Sequence, residues 1–507
     1  MSDQVISFVR TELAPERQAP VRTTGFIGFL RTRLFNTPGN AVLTVLGIAL
    51  LVVLIVPAVR FLLIDAVWTG SDRNACLAQN AGHSLGACWP FVQAKFTQFI
   101  YGFYPEPERW RVNLTFLLAA LLLLPLLVPR LPAKAFNAAL FFLAFPFVAF
   151  FLLYGGGLQG FAVGSVTHVV STFILGIGDA GARLAELGLS SPSWFGSLLK
   201  LIGDGIVWFS TGLLYLCFPL FWLRDEIVAS RQPLWADFAA TAVIVSVALF
   251  LLGGGVRNGW RALMLSLATF AGIGLVILAM GLDRGGLPVV DTRLWGGLLV
   301  TLVVSVTGIV ASMPVGIALA LGRRSTIPLI RLFSVGFIEF WRGVPLITVL
   351  FFATYMLPLF LPGNFTVDGL VRVLIGIALF AGAYNAEVIR GGLQAIARGQ
   401  EEAAQALGLS YWKTTRLIVL PQALRHVIPG LVNSFIALFK DTSLVSIVAL
   451  FDLLGILRAA FADPAWATPT TLFTGFAFTG LIYFVGCFAM SRYSLFVERR
   501  LNAHRRH

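Results

Sequence analysis

An all-α, polytopic membrane fold is predicted by three observations. Of the 507 residues, 58% are hydrophobic and only 12% charged, far too apolar a balance for a soluble protein. The apolar residues gather in uncharged windows near the ~20-residue length that a helix needs to cross a bilayer core of about 30 Å. Those windows also lack the alternation of polar and apolar residues that barrel strands require.

In chain order, residues 1–40 are polar and hold Arg10, Arg17, Arg22, Arg31 and Arg33. With no short apolar run near their start, they are expected as a cytoplasmic segment without a cleaved signal peptide. Uncharged windows follow at 41–59 and 112–129, and a third, 135–178, is too long for one crossing. The glycine-rich GGGLQG at 155–160 breaks it into a hairpin, whose second half, FAVGSVTHVVSTFILGIG, is the weaker span. Windows at 205–223, 238–256 and 262–282 bring the crossings to seven, and 294–322, 343–367, 373–386, 427–439 and 465–491 bring them to twelve. The chain thus divides into three spans over 41–155 with an extracytoplasmic loop 65–111, about four over 156–282, five over 294–491 and a cytoplasmic basic tail 492–507.

The net charge of +13 is carried by Lys and Arg in short loops and at both termini, a positive-inside pattern rather than a nucleic-acid footprint. GRRSTIPLIR (322–331), the polar stretch 391–426 and the final SRYSLFVERRLNAHRRH are each two windows apart, so all three are expected to face the cytoplasm and 282–295 the outside. A cytoplasmic N-terminus puts 65–111 outside and PRLPAK (129–134) inside, while RDEIVASRQPLW (224–235) falls outside against its charge preference. Cys217 and Cys487 lie within apolar runs, whereas Cys76 and Cys88 share the first loop. Outside the cytoplasm that pair would form a disulfide, and inside it would remain two thiols. The topology favours the disulfide.

Little points to chemistry within the chain. No Gly-Lys pair exists to build a phosphate-binding loop, and no His/Cys cluster has metal-ligand spacing. His168 stands alone in an apolar run and reads as a packed or interfacial residue. No catalytic residue, metal site or cofactor is expected. Charges within or beside apolar runs are confined to 294–491, where function is expected because such groups are costly in a bilayer. Glu339 and Arg342, like Glu387 and Arg390, are three apart and can pair on a helix face at the cytoplasmic interface. Lys440 and Asp441 follow thirteen uncharged residues, some 20 Å along their helix. With Thr442 and Ser443 they suit the transport path or a subunit interface as well as simple pairing.

The stretch EEAAQALGLSYWKTTRLIVLP (401–421) is a polar island between two apolar runs. Its composition reads as a helix over 400–407 stopped by Gly408, with Ser410 capping a second turn. Ala403 and Ala404 offer a low surface and Glu402 a directed charge. For a generic loop this would be a solvated amphipathic segment. Here Glu402-Ala403-Ala404, three residues, Gly408, nine residues, Ile418, one residue and Leu420-Pro421 resembles the cytoplasmic loop of type I ABC importer permeases. The resemblance implies that Glu402, Ala403, Ala404 and Gly408 belong to a coupling helix that docks in a groove of an ATPase subunit.

WRGVPLIT (341–348), with Val344 where polar amino-acid permeases carry Thr, YNAEVIRGGLQAI (384–396) and FKDTSLVSIV (439–448) are similar to that group. LIDAVWTGSDRNACLAQN, GACWPFVQAKFTQFIYG and YPEPERWRVNLT resemble the long permeases of general L-amino-acid and glutamate/glutamine/aspartate/asparagine importers. Usual members pass more directly from the third span to GLPVVDTRLWGGL, so 156–282 reads as an insert of about four spans. The resemblance implies a type I ABC importer transmembrane fold over 294–491 and a multi-pass permease for polar L-amino acids in the bacterial cytoplasmic membrane. It also implies ATPase subunits that hold ATP and magnesium, a second permease in a heterodimer and a periplasmic amino-acid-binding protein. The rival reading is an ion-coupled secondary carrier, which would show two repeated halves with interrupted helices in matching places; no such repeat is visible.

Overall fold

The structure, a computed structural model, describes residues 29–77, 85–128, 131, 134–158, 160–190, 194–252, 256–360 and 367–502. Most of the expected cytoplasmic segment 1–40, most of PRLPAK and the last five residues of the basic tail lie outside them. Among the described residues the chain is helical, with isolated backbone bridges but no named strand. Eleven helices among those residues are long and apolar enough to cross a membrane, and a bent pair makes a twelfth candidate. They fall into two compact units, one comprising the described residues up to Ala94 with Phe461–Ala477 and the other Lys95–Ala460 with the described residues from Phe478.

In the first unit, α1 (Pro38–Val59) starts at Thr37, whose side chain accepts from the Asn40 N–H at 3.2 Å. It has no buried residue, as befits a helix apolar on every side and solvated by lipid. A disulfide joins Cys76 to Cys88 with Cα atoms 5.7 Å apart. Trp68 stacks on Trp89 at 5.6 Å, the Cys88 N–H donates to Thr474 Oγ1 at 2.9 Å and Arg73 donates to the Pro464 carbonyl at 3.2 Å. The 65–88 loop is therefore held to the 461–474 stretch as well as to itself.

α2 (Trp89–Tyr101), whose residues up to Ala94 belong to the first unit, leads to α3 (Arg109–Leu127) of the second, where α4 (Lys134–Ala139) continues through a π turn into α5 (Phe145–Tyr154). The Tyr104 hydroxyl donates to the Leu153 carbonyl at 2.8 Å, so the start of α3 lies beside the end of α5 in an antiparallel hairpin. Burial pushes that phenol up to about 12, which keeps it a donor. Fully buried Arg111 pairs with Glu108 and donates to the Pro288 carbonyl at 2.8 Å, tying the 285–292 linker to the same end.

Next come α6 (Ala162–Leu189), α7 (Trp194–Leu216), α8 (Phe218–Ala229), α9 (Pro233–Leu252) and α10 (Val256–Ala279). The helices here outrun the uncharged windows 135–178 and 205–223: α6 runs on to Leu189 and α7 starts at Trp194. An uncharged window stops at Asp179, but GDAGARLAELGL still favours helix through Ala, Leu, Arg and Glu, and its glycines let α7 approach. A Cβ on Gly188 would sit 2.5 Å from the Gly196 carbonyl oxygen. The segment 224–235 is not all loop, since α8 extends to Ala229.

The N-terminal spans are also not free of buried charge. Asp237, at the start of α9 and 1% exposed, accepts the N–H groups of Phe161, Val163 and Gly164 at 2.6, 2.9 and 2.9 Å. It thereby caps α6 from another helix, satisfying donors that no intrahelical carbonyl reaches. Its place at the edge of an uncharged window concealed it. Asp237 sets the starts of α6 and α9 side by side, and the bond from Leu158 N–H to the Leu282 carbonyl at 2.8 Å sets the end of α10 at that same end.

The C-terminal part begins with α11 (Gly297–Arg323), followed by α12 (Pro328–Gly343), α13 (Leu346–Phe351), α14 (Leu357–Phe360) and α15 (Gly369–Gln394). Thr292, just before α11, donates to Asp368, just before α15, at 2.7 Å, and Arg323 at the end of α11 donates to Glu387 near the end of α15 at 2.6 Å. The two helices are therefore parallel, and the chain between them must recross the membrane. It does so through the bent pair Pro328–Gly343 and Leu346–Phe360, broken by 103°. The break follows from Pro345, which holds Val344 extended at φ −104° and ψ 135°. The expected window 343–367 thus misses half of this crossing, because α12 carries Arg331, Glu339 and Arg342. Residues 361–366 lie outside the described residues.

After α16 (Arg398–Ala406) and α17 (Tyr411–Thr414), a π turn leads into α18 (Leu420–Asp441), and α19 (Leu453–Phe461) and α20 (Thr471–Asn502) complete the chain. Leu299, Val304, Leu350, Val373, Ile377 and Val445 form one apolar core among these helices, and Ile338, Ile389, Leu393, Ala423 and Val427 a second. The parallel α11 and α15 approach closely at Gly316 and Gly382, where an added Cβ on Gly382 would lie 2.6 Å from Val315 Cγ1. Small residues at such contacts replace the hydrophobic drive that lipid cannot supply.

Candidate functional site

The polar island folds as two short helices around a turn. In α16 the Leu409 N–H donates to the Ala404 carbonyl at 3.1 Å and the Gly408 N–H to the Gln405 carbonyl at 2.9 Å, the paired bonds of a Schellman stop. Gly408 takes φ +72°, and a Cβ there would meet nothing within 4 Å. The constraint on this position is therefore conformational rather than spatial. Ser410 occupies the cap position of α17 but makes no side-chain capping bond; only its carbonyl is used, accepting from Thr414 at 2.9 Å.

Exposure divides the residues expected to couple. Glu402 and Ala403 are exposed, but Ala404 is 1% exposed, so it packs inward and is not part of a surface for a partner. In its place stand residues that sequence reasoning passed over: Leu407, Tyr411 and Trp412 are 78%, 60% and 71% exposed. Large apolar side chains clustered at a polar loop suit contact with a membrane or another protein. Their signal was present, an apolar residue on either side of a glycine stop, but the charges drew the eye.

The charged residues of the neighbouring helices converge, though not all as expected. Glu387 receives Arg390 at 2.9 Å and Arg323 at 2.6 Å, with Arg342 at 4.0 Å. Glu339 does not pair with Arg342: it receives Arg323 at 3.2 Å, while the Arg342 guanidinium lies over the Tyr384 ring at 5.7 Å. The i,i+3 rule found the Glu387 and Arg390 pair, but a third arginine from α11 outbid it for Glu339. Arg324 donates to Glu401 at 2.9 Å, and between these ends lies a cleft of about 350 Å³ lined by Arg324, Gln394, Ile396, Arg398, Glu401 and Gln405.

Lys440 and Asp441 are not midway along their helix. The span runs Tyr411–Val448 rather than starting near 427, which puts Lys440 roughly 45 Å from its beginning at 1.5 Å per residue. Lys440 is exposed and Asp441 half-buried, and neither makes a salt bridge among the described residues. Thr442 is buried, donates to the Phe439 carbonyl at 2.8 Å and lies 3.4 Å from the Tyr483 hydroxyl, while the Ser443 carbonyl accepts from Ser446. This cluster is at the opposite end of the bundle from Gly408.

Binding-protein-dependent transport system inner membrane components, as a family, match residues 312–503. The glutamate/glutamine/aspartate/asparagine transport system permease protein BztC of Rhodobacter capsulatus is 40% identical over 506 residues, 99% of this chain and 99% of its own length. The inner membrane amino-acid ABC transporter permease protein YhdY of Escherichia coli is 35% identical over 491 residues, 97% of each chain. The glutamate/aspartate import permease protein GltK of Escherichia coli is 33% identical over 209 residues, 40% of this chain and 91% of its own. The two long alignments run through 156–282, so that stretch is not peculiar to this chain.

Proposed function

The chain belongs to the family of amino-acid ABC transporter permeases, and from that membership we propose that it forms, with a second and different permease, the path by which a bacterial importer takes up polar L-amino acids such as glutamate, glutamine, aspartate and asparagine. Membership also sets aside the ion-coupled carrier. The chain is a multi-pass protein of the inner membrane, and it is a transporter subunit rather than an enzyme. A periplasmic binding protein would deliver the substrate. Separate ATPase subunits would hold ATP and magnesium, and their closure would be transmitted through α16 to the helices around the path.

The observation that carries the coupling assignment is the geometry at Gly408. A left-handed glycine stops α16 where Glu402, Ala403 and Leu407 are exposed on one side of the turn and Tyr411 and Trp412 on the other. This turn presents one exposed carboxylate beside exposed apolar side chains, a combination suited to a groove in a partner. Glu402→Lys reverses the charge, and Gly408→Val forces a β-branched residue into a conformation that costs an ordinary residue about 1–2 kcal/mol. In membrane vesicles both variants should lower ATP-driven uptake at least tenfold and release the ATPase subunits during purification, with membrane insertion unchanged. Wild-type uptake with full retention of the ATPase would refute the assignment.

A further inference from the structure

Arg323 and Arg324 are consecutive, the last residue and the cap of α11, yet they serve different elements. Arg324 donates to Glu401 on α16 at 2.9 Å. Arg323 donates through the same nitrogen to Glu387 on α15 at 2.6 Å and to Glu339 on α12 at 3.2 Å. One end of α11 is thereby bonded to the loop helix α16 and to the bundle helices α12 and α15. Between α16 and the bundle the cleft of about 350 Å³ is lined mainly by polar side chains, so the ion pair spans a gap that apolar packing does not fill. The partners are also partly exposed, with Arg324 at 37% and Glu401 at 36%, and such pairs contribute little to stability. The pair therefore adds little to the fold, yet it is a direct polar link between α16 and the end of α11.

We infer that Arg323 and Arg324 are positioning residues for transport: Arg324 takes up the displacement of α16, and Arg323 passes it to α12 and α15 through Glu339 and Glu387. The inference rests on the reading of α16 as the ATPase-docking helix. Glu387 acts as the hub, because Arg390 and Arg342 hold it from two further sides. α12 is the half of the bent span that precedes the 103° break, so a pull at Glu339 acts as a lever on the segment beyond Pro345. Coupling along such a route requires an element with two arrangements whose balance both ends bias, a part that the bent pair containing α12 can play.

The test uses the complete complex, with its second permease, ATPase subunits and binding protein, reconstituted in vesicles with labelled glutamate, glutamine, aspartate and asparagine. Uptake and ATP hydrolysis are measured together. Arg324→Glu should lower the amino acid carried per ATP at least fivefold while the ATPase still co-purifies, and adding Glu401→Arg should restore it to within twofold of wild type. A merely structural role would lower the yield of complex and leave that ratio unchanged. A single reversal with an unchanged ratio, or a swap that fails to restore it, overturns the relay. If Glu402→Lys and Gly408→Val also behave as wild type, the docking reading falls and takes the relay with it. If those two are defective while Arg324→Glu is silent, the relay alone falls.

Discussion

Asp452 illustrates how a single buried carboxylate is accommodated without a cation in contact. Fully buried, it accepts the N–H groups of Leu454 and Gly455 at 3.1 and 2.9 Å, at the start of α19, and the Tyr483 hydroxyl at 3.0 Å. Burial raises its pKa above the ordinary 3.8, and those bonds together with the more distant charge of Arg458 offset only part of that rise. The folded protein therefore holds this proton at pH values where the unfolded chain has lost it. By linkage, the contribution of Asp452 is most favourable below the unfolded value, declines as pH rises through the raised folded value, and is flat above it. Asp452→Asn removes the titration. Melting in detergent across pH 3.5–8 should show the wild type losing stability relative to the variant as pH rises through that window. A relative gain by the wild type over the same range would contradict the burial argument.

At the scale of elements, helix length and helix packing part company with hydropathy. Twenty-eight residues of α6 correspond to about 42 Å, longer than a bilayer core, so the helix projects beyond lipid at an end. Phe173 is 69% exposed in its middle, a site for lipid, and Ser190 is exposed just past its last turn. In a background lacking Cys217 and Cys487, Ser190→Cys should react with an impermeant thiol reagent from the cytoplasmic side, and Phe173→Cys should react from neither side until detergent is added. Labelling of Ser190→Cys from outside would mean that α6 does not cross as described. The same contrast appears in α12 and α13, where one proline divides a crossing into two arms and lets charged residues occupy one of them.

At the scale of the molecule, the parallel run of α11 and α15 makes the bent pair a crossing, which with the eleven continuous helices gives twelve among the described residues. An even count returns the tail to the side on which the chain began, in keeping with basic residues at both ends. With those basic ends on the cytoplasmic side, the 65–88 loop would be extracytoplasmic, where its disulfide would be stable to the reducing pool. Mass spectrometry of unreduced peptides from membranes should find Cys76 joined to Cys88. Cys76→Ser with Cys88→Ser should cost about 3 kcal/mol on the loop-entropy account. Alkylatable thiols at both positions in mature protein would reverse the sidedness of the first loop, and with it the crossing count that depends on it.

What the sequence determined by itself was local: the apolar centres of most spans, where α16 stops, and the family to which the loop points. Each depends on residues within one or two turns of one another, where hydropathy, charge bias and the φ preference of glycine act directly. The pair Glu387 and Arg390 was legible for the same reason. Tertiary structure decided the rest. Arg323 meets Glu387 across 64 positions and Arg324 meets Glu401 across 77, and Asp237 caps a helix that starts 75 residues earlier. A charge on a chain states that it needs a partner but not which one, and in a bilayer, where apolar surfaces attract one another only weakly, the choice falls to the packing of small residues and the ends of helices that it brings together.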